Sequence, residues 1–189
     1  LIAVLLRGEQ GTGKNYWMDN IMRPLLGTNN FKAVSLSDIT GKFTSDLYST
    51  VLVHIEEIND TRGKAAEKLK KLITEDTART EAKNKNAKVV NKYFGIVASS
   101  NVQDPVHIEA NDRRYFVPVY STHKENADET KSFFVRFTDW LETEGLQELA
   151  DYFYSLDISG FNFRYPPHTA DKEELTEVST RRSILWMAY

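Results

Sequence analysis

The chain has 189 residues, 41% hydrophobic and 27% charged, with a net charge of −3 and no cysteine. That length suits one domain with a full core and room for a small appendage. The composition excludes disulfide scaffolds and thiolate metal sites, fits a reducing compartment, and contains no apolar run of membrane-spanning length and no signal-peptide pattern.

The first residue, Leu1, stands inside an apolar run and no Met precedes it, so a longer protein is expected around this piece. LIAVLLRG, residues 1–8, is a short apolar stretch ending in glycine and predicts a buried strand entering a loop. In GEQGTGKN, Gly8, Gly13 and Lys14 stand at the spacing of a phosphate-binding loop, G-x-x-x-x-G-K-[S/T], with Asn15 where a hydroxyl is usual. Glycines there permit backbone angles that turn N–H groups toward phosphate oxygens at the positive end of a helix. The candidate nucleotide-binding residues are Gly8, Glu9, Gln10, Gly11, Thr12, Gly13, Lys14 and Asn15, with Lys14 reaching the outer phosphates. A glycine-rich turn that merely joins strand to helix is the alternative.

NYWMDNIMRPLL places Trp17, Ile21, Met22 and Leu25 near helical spacing, with Pro24 expected to kink the helix or end it near Arg23. FKAVSLSDI and the residues up to Phe43 are polar and support no assignment. Val51 to Ile55 form a second apolar run, ended by Glu56 and Glu57. Beside a phosphate loop, Glu56 would hold Mg2+ directly or through water, and Glu57 would polarise the attacking water. A strand that simply ends in solvated carboxylates has the same letters.

AAEKLKKLITE predicts a helix with Ala66, Leu69, Leu72 and Ile73 on one face and lysines on the other. In the stretch that follows, Asn84-Lys85-Asn86 reads as a turn between two short strands. From Arg62 to Lys92 ten basic residues face four acidic ones, a local charge of +6 in a chain whose remainder carries −9. Such a block is a candidate polyanion contact, although charge alone is explained as well by a solvated helix face and a charged loop.

YFGIVASSN is a third apolar run and delivers Asn101, whose carboxamide could orient a lytic water or serve only as a turn residue. Arg113 and Arg114 precede a fourth run, YFVPVY; an arginine reaching a phosphate stabilises charge in phosphoryl transfer, and a surface ion pair is the plainer use. Strands separated by helical stretches predict an α/β fold with a parallel, three-layer sheet. Residues 133–156 read as one or two amphipathic helices, and 161–179 as a proline-punctuated loop leading into a last helix.

The order of these pieces closely resembles the superfamily 3 helicases of viruses, phages and plasmids, a branch of the AAA+ ATPases. GEQGTGKN corresponds to motif A, VLVHIEEI to motif B and GIVASSN to motif C, and ITEDTARTEAKNKNAKVV matches the β-hairpin that grips DNA in that family. The tail, FYSLDISGFNFRYPPHTADKEELTEVS, is similar to the C-terminal part of phage and large-virus primase–helicases. The resemblance implies a P-loop ATPase core over residues 1–122, with an inserted hairpin, and a small helical extension over 123–189. It implies ATP with Mg2+, the metal near Asn15 and Glu56, and catalysis by Glu57, Asn101 and an arginine finger that Arg113 and Arg114 fit equally. Lys83 and Lys85 fall at the expected hairpin tip, with Lys88 beside them, to contact single-stranded DNA or a DNA fork.

By the same resemblance the full-length protein is a homohexamer with an N-terminal primase or polymerase domain, without a membrane, in the host cytoplasm for a phage protein; this piece alone is expected to be monomeric. Asn15 is the departure: its oxygen can accept a metal or a metal-bound water, but it has no hydroxyl proton to give. Two other classes are weighed beside the helicase: a P-loop kinase, and a nucleotide-gated DNA-binding module with little hydrolysis.

Overall fold

The computed structural model describes residues 2–40, 45–59, 63–80, 88–109 and 111–187. Five strands form one sheet: β1 (Ala3–Arg7), β2 (Phe31–Ser35), β3 (Leu52–Glu56), β6 (Gly95–Ser100) and β7 (Tyr115–Phe116). Their order is β2-β3-β6-β1-β7, and every pairing is parallel. Between them, β4 (Thr77–Thr80) and β5 (Lys88–Asn91) pair antiparallel as the arms of a hairpin. Helices α1 (Lys14–Trp17) and α2 (Arg23–Leu26) follow β1, α3 (Leu36–Thr40) follows β2, and α4 (Gly63–Thr74) follows β3. The chain then runs through α5 (Ala127–Trp140), α6 (Leu146–Ser155) and α7 (Ala170–Met187).

The period of two along the strands divides the core into two layers. One face sends Ala3, Leu5, Val53, Ile55, Ile96 and Ala98 against Leu69 and Ile73 of α4 and Leu175 of α7. The other sends Val4, Leu6, Leu52 and Val97 against Met18, Met22 and Leu26. The helical stretch from α1 to α2 continues through Pro24 rather than ending near Arg23. A π-helical turn, Met18–Met22, comes just before it, and there the Arg23 N–H reaches back to Met18 O. That wider register absorbs the N–H that Pro24 lacks.

Two strand expectations change. β2, unassigned from its letters, is a genuine strand at the sheet edge, where one neighbour suffices and Lys32 and Ser35 can stay polar. The fourth apolar run gives only Tyr115–Phe116, because Pro118 has no N–H for a ladder. The hairpin arms are present as expected, while its turn, with Lys83 and Lys85, lies outside the described residues. Lys92 closes the hairpin base: its N–H donates to Asp76 O at 2.7 Å, and its buried ammonium donates to the carbonyls of Leu72 and Ile73 at the end of α4. A cation at a helix C-terminus completes carbonyls that the helix leaves open.

The C-terminal helices divide. α7 joins the core through Leu175, with the Lys172 ammonium donating to the carbonyls of Asp112 and Tyr115 at 2.7 and 2.8 Å. α5 lies over the α1 side, where the Tyr16 and Phe134 rings approach to 5.2 Å. α6 buries none of its side chains, and no helix among the described residues is long and apolar enough to cross a membrane.

Among the buried titratable residues, His54 bears on stability at mildly acidic pH. His54, in the middle of β3, is wholly buried, and burial lowers its pKa from 6.5 to about 4. Between those values the unfolded chain holds a proton that the folded chain refuses, so stability falls as pH drops from about 6.5 toward 4. The loss should approach about 3 kcal/mol, at about 1.4 kcal/mol per pH unit. Urea denaturation at pH 7 and pH 4.5 should show it, with a smaller difference for His54→Gln.

Candidate functional site

Parallel strands carry their carboxyl ends to one edge of the sheet, and there the glycine loop, Glu56, Glu57 and Asn101 come together, while Arg113 and Arg114 do not. β1 leads into Gly8, β3 ends in Glu56 and Glu57, and β6, between them, ends in Ser100 and Asn101. Gly8 N–H donates to Ser100 O at 3.2 Å, and Ile58 N–H to Ser99 O at 2.8 Å, so both loops are tied to β6. A cleft of about 380 Å3 opens over this edge, lined by Gln10, Gly13, Lys14, Glu57, Asn101 and Phe134 among others. That volume lies within the range of small-ligand sites.

The loop has the predicted conformation. Gly11 and Gly13 have φ of 84° and 91°, and α1 starts at Lys14. Gly13 is required twice over: a side chain would be strained at that φ, and its Cβ would stand 2.1 Å from Phe134 Cζ. At Gly8 a Cβ would come within 2.5 Å of Ser121 O, because residues 121–123 wrap the loop. The Lys14 ammonium donates to Gly8 O at 2.9 Å and Glu9 O at 2.7 Å, so the cation rests within its own loop; partial burial lowers its pKa.

Arg7, just before the loop, is an unforeseen anchor. It is buried, its guanidinium donates to Gln103 O at 2.7 Å, and it pairs with Asp171 of α7 at 3.2 Å. Asp171 also accepts from Tyr120 N–H at 2.8 Å. One buried cation thus joins the root of the loop, the segment after Asn101 and the last helix.

Asn15 sits between strands. Its Nδ2 lies 3.4 Å from Glu56 Oε1 and its Oδ1 accepts from Ser99 Oγ at 3.2 Å, while Ser99 Oγ lies 3.0 Å from His54 Nε2. Sequence reading passed over Ser99 and His54, which look like ordinary members of apolar strands. Only the register of β3 beside β6 brings them under Asn15.

Glu57 has φ of 50°, the one non-glycine residue with positive φ among those described. Left-handed backbone costs an L-residue about 1–2 kcal/mol and persists where its surroundings impose it. Glu57→Gly should therefore leave stability unchanged or raise it by up to about 1 kcal/mol, whereas β-branched Glu57→Val should lose roughly 1–2 kcal/mol. Equal losses for the two in urea denaturation would show that the turn relaxes freely.

The two arginines separate. Arg114 is paired with Asp112, whose side chain is fully buried and also accepts from Arg114 N–H at 2.7 Å. Arg113 is exposed and has no ion pair with any described residue. Both precede β7, whose Tyr115 pairs with Ala3, and Arg114 O accepts from Ala3 N–H at 2.7 Å. They therefore stand at the amino end of β1, about 16 Å from Gly8 at ~3.3 Å per residue, and the loop lies at the other end. Arg114→Ala should lose about 2 kcal/mol by leaving a buried carboxylate short of a partner, while Arg113→Ala should stay within about 0.5 kcal/mol. Thermal or urea unfolding of the two variants distinguishes them.

A magnesium nucleotide, if it binds, would be held by the glycine loop, Lys14 and the Glu56 carboxylate. Mg2+ binds through one or two carboxylates, phosphates and water rather than an all-protein cage. No group of three or more His, Cys, Asp or Glu side chains placed to hold a metal ion occurs among the described residues.

Residues 6–114 match a protein family described as "Family of unknown function (DUF5906)". The chain belongs to this family. Over 181 residues it is 25% identical to the DNA Primase-polymerase of Nitratiruptor phage NrS-1, covering 94% of this chain and 23% of that protein. The chain thus spans about a quarter of its curated relative. Among solved structures, the apo C-terminal region (305–718) of NrS-1 superposes with a TM-score of 0.72 at 22% identity, over 94% of this chain and 42% of that one. An A-form apo structure of the same region gives 0.71 at 21%, over 98% and 47%. At these identities the structures show a shared fold.

Proposed function

We propose that this member of the DUF5906 family is the nucleotide-hydrolysing motor of a phage-type DNA replication protein, moving on single-stranded DNA as superfamily 3 helicases do. The carrying observation is the strand order β3-β6-β1, which assembles the glycine loop, Glu57 and Asn101 around one cleft, with Glu56 in the recess on the far side of Asn15. The 25% identity to a phage primase-polymerase supports the setting, with a priming domain on the same polypeptide.

Bound ATP with Mg2+ would supply the phosphoanhydride whose hydrolysis is spent on movement. Lys14 exchanges its two loop carbonyls for phosphate oxygens, and Glu56 serves the metal side. The Glu57 carboxylate takes the proton from the attacking water, which the Asn101 carboxamide orients. Arg113, too far from its own loop and without an ion pair among the described residues, acts at the cleft of a neighbouring copy in a homohexamer, and Arg114 keeps its structural pair. DNA phosphates meet Lys83 and Lys85, together with Lys88, which is exposed on β5.

A second reading, a nucleotide-gated DNA-binding module without turnover, has one observation in its favour: the Asn15 carboxamide is already engaged by Ser99 and Glu56. ATPase assays with and without single-stranded DNA decide between them. Turnover stimulated by DNA supports the motor, nucleotide binding without turnover supports the module, and turnover indifferent to DNA points to a kinase. Under the motor reading, Glu57→Gln binds ATP and loses at least about 100-fold in rate, the usual scale for a general base. Arg113→Ala and Lys14→Ala, each inactive, should regain ATPase when mixed in a form long enough to assemble; mixed assemblies without recovery would remove the shared-site mechanism.

A further inference from the structure

Asn15 replaces the hydroxyl residue expected next to Lys14, and its surroundings define a different job for it. Glu56, as a carboxylate, only accepts hydrogen bonds, so the Asn15 amide nitrogen faces it, at 3.4 Å. That orientation turns Asn15 Oδ1 to Ser99 Oγ, which donates at 3.2 Å. The Ser99 proton is then committed, so Ser99 Oγ must accept from His54 Nε2, 3.0 Å away. His54 Nε2 accordingly carries the ring proton and Nδ1 is bare, in agreement with a buried Nδ1 that has no hydrogen-bond partner.

All three donors thus point one way: imidazole to hydroxyl, hydroxyl to carboxamide, carboxamide to carboxylate. Period-two alternation explains the alignment, since His54 and Glu56 share one face of β3 and Ser99 shares that face on β6, below α1. Ser99 is 2% exposed and His54 fully buried, so water offers no substitute partners.

We propose that Asn15 is a positioning residue and not a metal ligand: with Ser99 and His54 behind it, its carboxamide fixes the Glu56 carboxylate on the metal side of the cleft. The proposal rests on the magnesium-nucleotide reading of the cleft. A threonine or serine hydroxyl at this place is too short to span from Ser99 to Glu56, whereas a carboxamide offers a donor and an acceptor on opposite sides. Outer-shell partners of this kind tune metal affinity by about 10–100-fold without touching the ion.

Three measurements on the 189-residue chain test it. In the nucleotide-free protein, a double-mutant cycle of Asn15→Ala and Ser99→Ala in urea should be non-additive, the double variant losing less than the sum; strict additivity overturns the bridge. With a fluorescent ATP analogue, Ser99→Ala should bind as the parent does in EDTA but lose about 10-fold of the affinity that Mg2+ adds, and Ser99→Thr should regain it. An unchanged Mg2+ effect in Ser99→Ala overturns the positioning role. With Mn2+ as a paramagnetic probe and 13C-labelled asparagine, pulsed electron paramagnetic resonance should show no ligand-strength carbon coupling that Asn15→Leu removes. Such a coupling makes Asn15 a ligand and overturns the proposal. Absence of any nucleotide binding would instead overturn the motor reading, and the double-mutant cycle would still decide the bridge.

Discussion

An all-parallel sheet with β6 at its centre is the constraint from which the rest follows. Parallel strands need crossovers, crossovers cover both faces, and the covered faces explain why β1, β3 and β6 are apolar on both sides. The same arrangement delivers every carboxyl end to one edge. Loops leaving that edge carry backbone groups with no ladder partner, and β6 supplies them: Ser100 O to Gly8 N–H and Ser99 O to Ile58 N–H. The glycine loop and the acidic turn are therefore held at a fixed separation by a strand that contributes Asn101 itself. Residues at the amino edge, Arg113 among them, are excluded from that cleft by the length of the strands.

What the letters disclosed follows the same physics. β1, β3 and β6 were legible as apolar runs because both of their faces are buried, and α4 because one lysine-rich face meets water. The glycine loop was legible because its residue types are dictated by backbone angle and close approach, as at Gly13. β2 was not, since an edge strand bonded on one side tolerates Lys32 and Ser35. Of the two outcomes Pro24 left open, a kink or an end, the end is excluded because a π turn compensates its missing N–H, and such compensation has no signature in the neighbouring letters. The difference between Arg113 and Arg114 was invisible, for it depends on whether the carboxylate two residues before Arg114 is buried. Ser99 and His54 were equally hidden, because inter-strand register is a tertiary fact. Lys83 and Lys85, read from sequence as the hairpin tip, fall outside the described residues.

The cleft is also self-sufficient in the absence of ligand. Lys14 is satisfied by its own loop carbonyls, Asn15 by Ser99 and Glu56, and the strained Glu57 turn by the bond from Ile58 to Ser99. Under the motor reading Lys14 would have to release those two carbonyls to reach a phosphate, whereas the Asn15 bridge could stay as it is. Arg7 extends the arrangement outward: through Gln103 and Asp171 it couples the root of the loop to α7, so the last helix is part of the site's support.

The hairpin base has a mechanical meaning. Lys92 clamps β5 to the end of α4, and only Tyr93 and Phe94 separate it from β6. A load applied to the arms therefore reaches, three residues on, the start of β6, which is bonded to β1 on one side and β3 on the other. Strands pulled along their length are loaded in shear, and their ladder bonds must yield together instead of unzipping singly. The strand that the hairpin leads into is also the one that runs out beside Asn101 at the cleft, so the arms and the cleft share one strand.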